Sequence, residues 1–168
     1  MSRSMFDDID NVAQSGLMEA ADSRTLRLSA HPLTESELEG LVRYQEAFLG
    51  HIEQAAVAHD AFPTAHTLGL KASGLDVKVV ELGNALVRAY CGQRWTARKV
   101  RSRLAELEKL TDAASVEKAR KARDELGRLE HLDPLARRYG QQAIDLLNQH
   151  EDRLLALHTR MQKALTRA

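Results

Sequence analysis

Apolar residues recur at the spacing of an α-helix along most of this chain, and the longest such pattern extends from residue 75 to residue 107. At 100° per residue, one stripe contains Leu75, Val79, Leu82, Leu86, Ala97, Val100, Leu104 and Leu107. The stripe keeps its phase across Gly92, where a helix break would normally lose it. We therefore predict one long helix over about 75–110, in which Gly92 costs roughly 1 kcal/mol relative to Ala. A kink at Gly92 is the alternative.

The first helix is predicted to begin at Thr34. The Thr34 hydroxyl can accept a hydrogen bond from the amide of Glu37, whose carboxylate can reach back. Leu33 can pack on Leu38 across the same turn. An apolar face follows at helical spacing, which is typical of a helix that packs on a core.

The end of this first helix is predicted near Asp60, because Pro63 disfavours helical geometry at Phe62. Residues 61–74 then form a connection with room for a short helical piece. Asp76 offers an N-cap for the long helix that follows.

Two further start signals follow the long helix. Thr111 and Asp112 provide a turn or a cap before a weakly amphipathic, highly charged helix that continues to about residue 129. Asp133 is a good N-cap, and Pro134 suits the first helical position, where its missing amide hydrogen would be unpaired anyway. The last helix is predicted to extend from there to about residue 166, with Gly140 as a tolerated weak point.

These elements predict the fold class and the domain organisation. Four helices with mostly short connections indicate an all-α fold, an antiparallel bundle of four main helices with long second and last helices. The bundle domain is predicted to cover residues 34–168. Residues 1–33 are predicted to be an acidic, loosely ordered N-terminal arm with one short helical turn around residues 6–13. The sequence contains no strand-like alternation.

Polar residues interrupt the apolar face of the predicted last helix. His150, Glu151 and His158 all lie within its apolar arc. In an up-and-down bundle the first and last helices run antiparallel, which places Gln45 within a turn of Glu151. We therefore predict a hydrogen bond between Gln45 and Glu151, with these residues and His158 as buried polar groups that fix helix register.

A small-ligand or metal site in the bundle core is the alternative, with His59, His150, Glu151 and His158 as its candidates. The spacing counts against a metal, because Glu151 and His158 are seven residues apart, or about 10 Å along a helix. No Glu-x-x-His pair of the kind that di-iron bundles use is present. The sequence accordingly predicts no metal ligands and no cofactor.

No catalytic motif accompanies these polar residues. Cys91, the single cysteine, has no evident histidine partner in the sequence. The chain also contains no GxSxG, no Walker loop and no GxGxxG motif preceded by a strand. We predict that the protein is not an enzyme.

A basic stretch surrounds the only tryptophan. It comprises Arg94, Trp95, Arg98, Lys99, Arg101 and Arg103. Arginines beside an aromatic side chain suit phosphate contact and base stacking, so an anionic partner such as nucleic acid is the second alternative. The net charge of zero argues against a dedicated nucleic-acid binder.

Charge is divided unevenly along the chain. Residues 1–60 carry 4 Lys+Arg against 11 Asp+Glu, a balance of −7, and the remaining residues carry the compensating +7. The acidic part can lie against the basic part, or the basic part can bind an anionic partner instead.

Residues 109–132 are highly charged and only thinly apolar. Such a helix is expected to leave part of the last helix, or one end of the long helix, uncovered. An uncovered apolar strip usually marks a partner or self-association surface. The predicted function is a non-enzymatic helical interaction or scaffold module, which self-associates or binds a protein partner.

The location is predicted from what the chain does not contain. The N-terminal segment has no apolar signal region, and no window approaches the roughly 18 apolar residues of a membrane span. A single cysteine is typical of a reducing compartment. We expect a cytoplasmic protein without a membrane span.

Three features together resemble a group of small helical proteins from myxobacteria. They are Tyr44-Gln45 in the first helix, the arginine-rich segment around CGQRW, and ARRYG before an apolar last helix that carries Glu151. The resemblance covers roughly residues 38–165 and implies an all-helical bundle, but the group has no established activity. Many of its members look like exported lipoproteins, and this chain differs from them in having no lipobox cysteine.

Overall fold

The computed structural model describes residues 33–166, and these residues form α-helices and connections without any β-strand. The helices are α1 (Glu35–Gln54), α2 (Ala58–Ser73), α3 (Val77–Glu108), α4 (Ala113–Glu130), α5 (Asp133–Tyr139), α6 (Gln141–Gln149) and α7 (Glu151–Leu165). The predicted all-α class is confirmed. The predicted arm over residues 1–33 lies outside the described residues except for Leu33, which is buried.

Three helices begin at the caps that the sequence predicts. The Thr34 hydroxyl accepts a hydrogen bond of 3.1 Å from the amide of Glu37 at the start of α1. The Asp76 carboxylate accepts from Lys78 at the start of α3, and Asp112 accepts from the amide of Ser115 at the start of α4. Each side chain satisfies one of the amides that a helix leaves unpaired at its N-terminus.

The long helix α3 is confirmed, since its 32 residues continue through Gly92 without interruption. Its buried face is broader than the predicted stripe. Val80, Val87 and Tyr90 are almost fully buried, whereas Val79 is partly exposed. The breadth follows from packing on several neighbours, because α1, α2, α4 and α7 all contact this helix.

The predicted end of the first helix near Asp60 is wrong. The helix ends at Gln54, Ala55 adopts an extended conformation, and the predicted connection over 61–74 is instead most of helix α2. Pro63 lies inside α2, so the carbonyl of His59 receives no amide hydrogen from it. Burial of Ala61, Ala65 and Gly69 in and around the core explains why the helix forms despite this local cost.

The single long last helix is also wrong. Gly140 has a φ of +92°, a conformation that glycine adopts without steric penalty, and it separates α5 from α6. His150 then separates α6 from α7. Leu132 occupies the cap position of α5, and Asp133 is the first residue of that helix rather than its cap.

Two pairs of consecutive helices run antiparallel. The Arg43 side chain of α1 bonds the Ser73 carbonyl of α2, and further along α1 the ring of Phe48 lies beside that of Phe62. Residue numbers therefore fall along α2 as they rise along α1. In the second pair, Gln93 of α3 donates to the carbonyl of His131 just past α4, and Glu108 at the end of α3 pairs with Arg123. Helix α7 packs on both pairs through α1 and α3.

The expected antiparallel arrangement of the first and last helices is wrong. Ion pairs join Glu39 to Arg153 and Glu53 to Arg160, so residue numbers rise in the same direction along α1 and α7. The reason is that α2, which the sequence predicts as a connection, reverses the chain direction once more than a bundle of four helices would.

Helix α4 packs lightly, as its composition predicts. Its buried residues are Ser115, Ala119 and Ala122, and the two alanines meet Leu104 of α3 in a small cluster separate from the main core. Its remaining surface is largely charged and exposed. Helix α4 therefore covers the distal half of α3, and the main core lies among the other helices.

Replacement of Gly69 with alanine should destabilise the protein by about 1–3 kcal/mol, because a Cβ there would lie 2.6 Å from a ring carbon of buried Tyr44. Gly92 is the matched control, because a Cβ at that position would meet nothing within 4 Å. Gly92→Ala should raise the free energy of unfolding by up to about 1 kcal/mol. Urea denaturation measures both changes, and equal effects would contradict the close approach of α1 and α2.

Candidate functional site

Glu151 joins α7 to α3 through two arginines. Its carboxylate accepts hydrogen bonds from Arg94 and, at 2.9 Å, from Arg98, which also bonds Asp152 at 2.6 Å. The side chains of Arg94 and Glu151 are only 18% and 20% exposed. Charge-assisted hydrogen bonds in such a partly buried position are stronger than those between neutral groups.

The arginines control the ionisation of Glu151. Burial alone would raise the pKa of its carboxyl, but the hydrogen bonds and positive charges of Arg94 and Arg98 outweigh burial and hold the pKa below its usual range. The carboxylate is therefore charged at neutral pH. Its contribution to stability is present above the pKa of the unfolded chain and is lost as the pH falls through the lower pKa of the folded state.

The predicted hydrogen bond between Gln45 and Glu151 is absent. Glu151 faces the arginines of α3, while Gln45 lines a groove together with His158. The prediction failed because it depended on antiparallel first and last helices. Glu151 is nevertheless a partly buried polar group that ties two helices together, which is the kind of role that the sequence predicts for it.

The candidate histidines do not converge on one place. His59 is exposed, with its ring centroid 5.1 Å from that of Phe62. The Nε2 atom of His150 lies 3.8 Å from a carboxylate oxygen of Glu35. His158 is partly buried beside the ring of Trp95. Within residues 33–166, no three His, Cys, Asp or Glu side chains are grouped so that they could hold a metal ion.

Most of the basic stretch has partners within the protein. Arg94 and Arg98 are paired with acids of α7, and Arg101 pairs with Glu130 at 2.8 Å. The Lys99 ammonium lies 5.1 Å from the ring centroid of Trp95, a cation–π contact. Arg103 is exposed and has no ion pair among the described residues.

Trp95 packs partly buried against the main core, so one face of its ring is not free for a base. The stretch therefore presents less free positive charge, and less free aromatic surface, than its sequence suggests.

An open groove of about 250 Å³ lies among α1, α2, α3 and α7. We call it the central groove. It is lined by Tyr44, Gln45, Phe48, Phe62, Asn84, Val87, Arg88, Cys91, His158, Met161 and Leu165. Most of this surface is apolar or aromatic, with two amides and two basic side chains among it.

Two polar groups of the central groove lack partners in the described part of the chain. The Oδ1 atom of Asn84 is buried with no hydrogen-bond donor. Arg88 is exposed and has no ion pair among residues 33–166. A buried acceptor without a donor is costly, so an occupant that donates a hydrogen bond there would be favoured. An acidic group would be favoured beside Arg88.

The walls of the central groove are neutral apart from Arg88. Burial lowers the pKa of His158, so its imidazole is uncharged at neutral pH. Burial also raises the pKa of the Cys91 thiol to about 12, aided by the negative charge of Glu151. The thiol stays protonated and is therefore a poor nucleophile.

One wall of the central groove is held by aromatic packing. The Tyr44 hydroxyl and the Nδ1 atom of His66 are 2.7 Å apart, within hydrogen-bond distance. The ring of Phe48 stacks between those of Tyr44 and Phe62, with centroid distances of 6.0 and 5.9 Å. These contacts hold the apolar side chains of α1 and α2 in place.

Sequence reasoning finds some of this groove and misses the rest. It singles out Gln45 and His158, but it misses Asn84, and it does not assign Arg88 to a groove. A signal for Asn84 is present, because it shares a helical face with Val87 and Cys91 at spacings of three and seven residues. The contribution of Phe62 is hidden by the misplacement of α2.

The chain matches no protein-family model, no curated protein and no solved structure. No helix within residues 33–166 combines the length and the apolar character that crossing a membrane requires.

Replacement of Glu151 with glutamine should lower the free energy of unfolding at pH 7 by about 1–2 kcal/mol, because partly buried Arg94 loses its counterion. The difference from the unaltered protein should shrink as the pH falls through the lowered pKa of Glu151.

Glu117→Gln is the matched control, since Glu117 pairs with Arg120 on the exposed surface of α4 and should matter little. Denaturation with urea at several pH values measures both effects. A loss for Glu151→Gln that is the same at acidic and neutral pH would contradict this role of the carboxylate.

Proposed function

We propose that this protein is a non-enzymatic interaction module whose central groove binds an amphipathic, acidic helix of a protein partner. The observation that carries the proposal is an open apolar groove with one exposed arginine and no Asp or Glu among its lining residues. Helix-in-groove binding is a common mode of peptide recognition, in which a few apolar side chains of the helix act as anchors.

The size and chemistry of the central groove suit such anchors. Phe48, Phe62 and Met161 are partly buried, so each still has surface to offer a bound side chain. Leu165 is 48% exposed at one end of the groove. Burial of these surfaces by an apolar helix face would supply most of the binding free energy.

Charge favours an acidic partner. Arg88 is exposed beside the apolar lining, and the other groups there are neutral at pH 7. An acid on the flank of the incoming helix can pair with Arg88 without meeting a like charge in the lining. The polar face of a basic helix would be repelled by Arg88.

The fold has a defined part in this proposal. We infer that α1, α2, α3 and α7 form a bundle that frames the central groove, with α4 as a support for the distal half of α3. As part of the same proposal, the protein acts as a scaffold and is related to the small helical proteins of myxobacteria. The basic stretch is not advanced as a nucleic-acid site, because Arg94, Arg98 and Arg101 are already paired.

A small ligand in the same groove is the second candidate. The unpaired Oδ1 atom of Asn84 favours it, because a compact molecule can place a donor deep in the groove more easily than a helix can. Such a ligand would have an apolar body and an anionic group for Arg88.

Two synthetic amphipathic helices of about four turns test the proposal, one with Glu and one with Lys on the polar face. The acidic peptide should bind the protein at least about tenfold more tightly than the basic one, because only the acidic peptide complements Arg88. Fluorescence anisotropy measures both affinities. The order should reverse in Arg88→Glu.

Two exposed leucines provide a matched pair of variants. Leu165→Glu should weaken acidic-peptide binding at least about tenfold, whereas Leu110→Glu, at a position that is 52% exposed and outside the groove, should not. Circular dichroism checks that both variants remain folded. Failure of the acidic peptide to bind, or equal binding of the two peptides, would contradict the proposal.

The small-ligand candidate is tested with anilinonaphthalene sulfonate, a dye with an apolar body and one anionic group. If the groove is a ligand site, dye fluorescence should rise with the native protein and fall in Arg88→Gln and Leu165→Glu. The second candidate replaces the first if the dye behaves in this way while the acidic peptide does not bind. Dye binding that neither substitution changes would exclude the groove as its site.

A further inference from the structure

Residues 5–19 of the chain have the features that the central groove selects. Phe6, Ile9, Ala13 and Leu17 are spaced by three, four and four residues, which places them on one face of a helix. The segment precedes the described residues, and its sequence alone provides this pattern.

The same segment is acidic. Residues 5–19 contain four acids, Asp7, Asp8, Asp10 and Glu19, and no Lys or Arg. The lining of the central groove carries the opposite charge through Arg88 and contains no acid.

The connection between the segment and the groove is long enough. Residues 20–32 can span at most about 45 Å when fully extended. Leu33 lies at the start of α1, and Phe48 in the groove is fifteen residues further along, or roughly 22 Å at the rise of an α-helix. The segment can therefore reach the groove of its own chain without strain.

We infer that residues 5–19 dock as an acidic amphipathic helix in the central groove of the same chain. The inference depends on the function proposed above, since it names an occupant for the same groove. Tethering gives the segment an effective concentration of about millimolar, so even weak docking keeps the groove largely filled. A partner helix must then displace the segment, which makes the segment a built-in competitor.

The test uses the full chain and the acidic peptide described above as a fluorescent probe. Phe6→Asp combined with Ile9→Asp removes the apolar anchors of the segment. This variant should bind the probe about tenfold or more tightly than the unaltered protein, because the competitor no longer docks. The charge of the segment becomes more negative, so a gain cannot come from better electrostatic attraction of an acidic probe.

Asn11→Asp combined with Ser15→Asp is the matched control. It adds the same two negative charges on the opposite side of the predicted helix, where no anchor is lost. Its affinity for the probe should stay within about twofold of the unaltered protein. An equal gain in both variants would overturn the inference, since charge rather than docking would then be responsible.

The remaining outcomes separate this inference from the proposed function. If the probe binds the unaltered protein and the Phe6→Asp, Ile9→Asp variant equally, the segment does not dock, and the groove remains a helix-binding site. If the probe binds neither, the proposed function fails. Sedimentation over a range of concentrations shows whether the segment docks in its own chain or in a second copy. If the protein associates and the anchor substitutions abolish that association, the segment docks in a second copy, which would overturn docking within one chain.

Discussion

The contact of Glu151 with Arg94 and Arg98 determines where α7 lies on α3, and the rest of the site depends on that placement. The side chains of Arg94 and Glu151 are mostly shielded from water, and the two arginines keep the carboxylate ionised. Helix α7 then supplies one wall of the central groove through His158, Met161 and Leu165. Without α7 against α3, the apolar surfaces of α1 and α3 would face solvent.

The same contact explains why the basic stretch is less available than its sequence suggests. A run of arginines around a tryptophan can bind an anion only if the charges are free. Here α7 provides acids for two of the arginines, α4 provides Glu130 for a third, and Lys99 covers Trp95. The free positive charge that matters for the groove lies instead at Arg88, outside this stretch.

Local signals in the sequence predict the starts of the helices that a side chain caps, but they miss the breaks at Ala55, Gly140 and His150. The caps at Thr34, Asp76 and Asp112 are predictable because each needs only a hydrogen bond between one side chain and an amide two or three residues away. Pro63 and Gly140 mislead because their effect depends on tertiary packing and backbone conformation, which no local pattern contains. Missing α2 also reversed the expected direction of α7, so the partner of Glu151 could not be predicted, although its partly buried polar character could.

The central claim is that the groove among α1, α2, α3 and α7 binds an acidic amphipathic helix. Methionine-methyl NMR tests it most directly, because the chain has four methionines and Met161 lines the groove, while Met5 and Met18 lie in or beside the N-terminal segment. On addition of the acidic peptide, the Met161 signal should shift. The Met5 signal should move to the position that it has in the Phe6→Asp, Ile9→Asp variant, in which the segment does not dock. A Met161 signal that stays unchanged at saturating peptide would contradict the account.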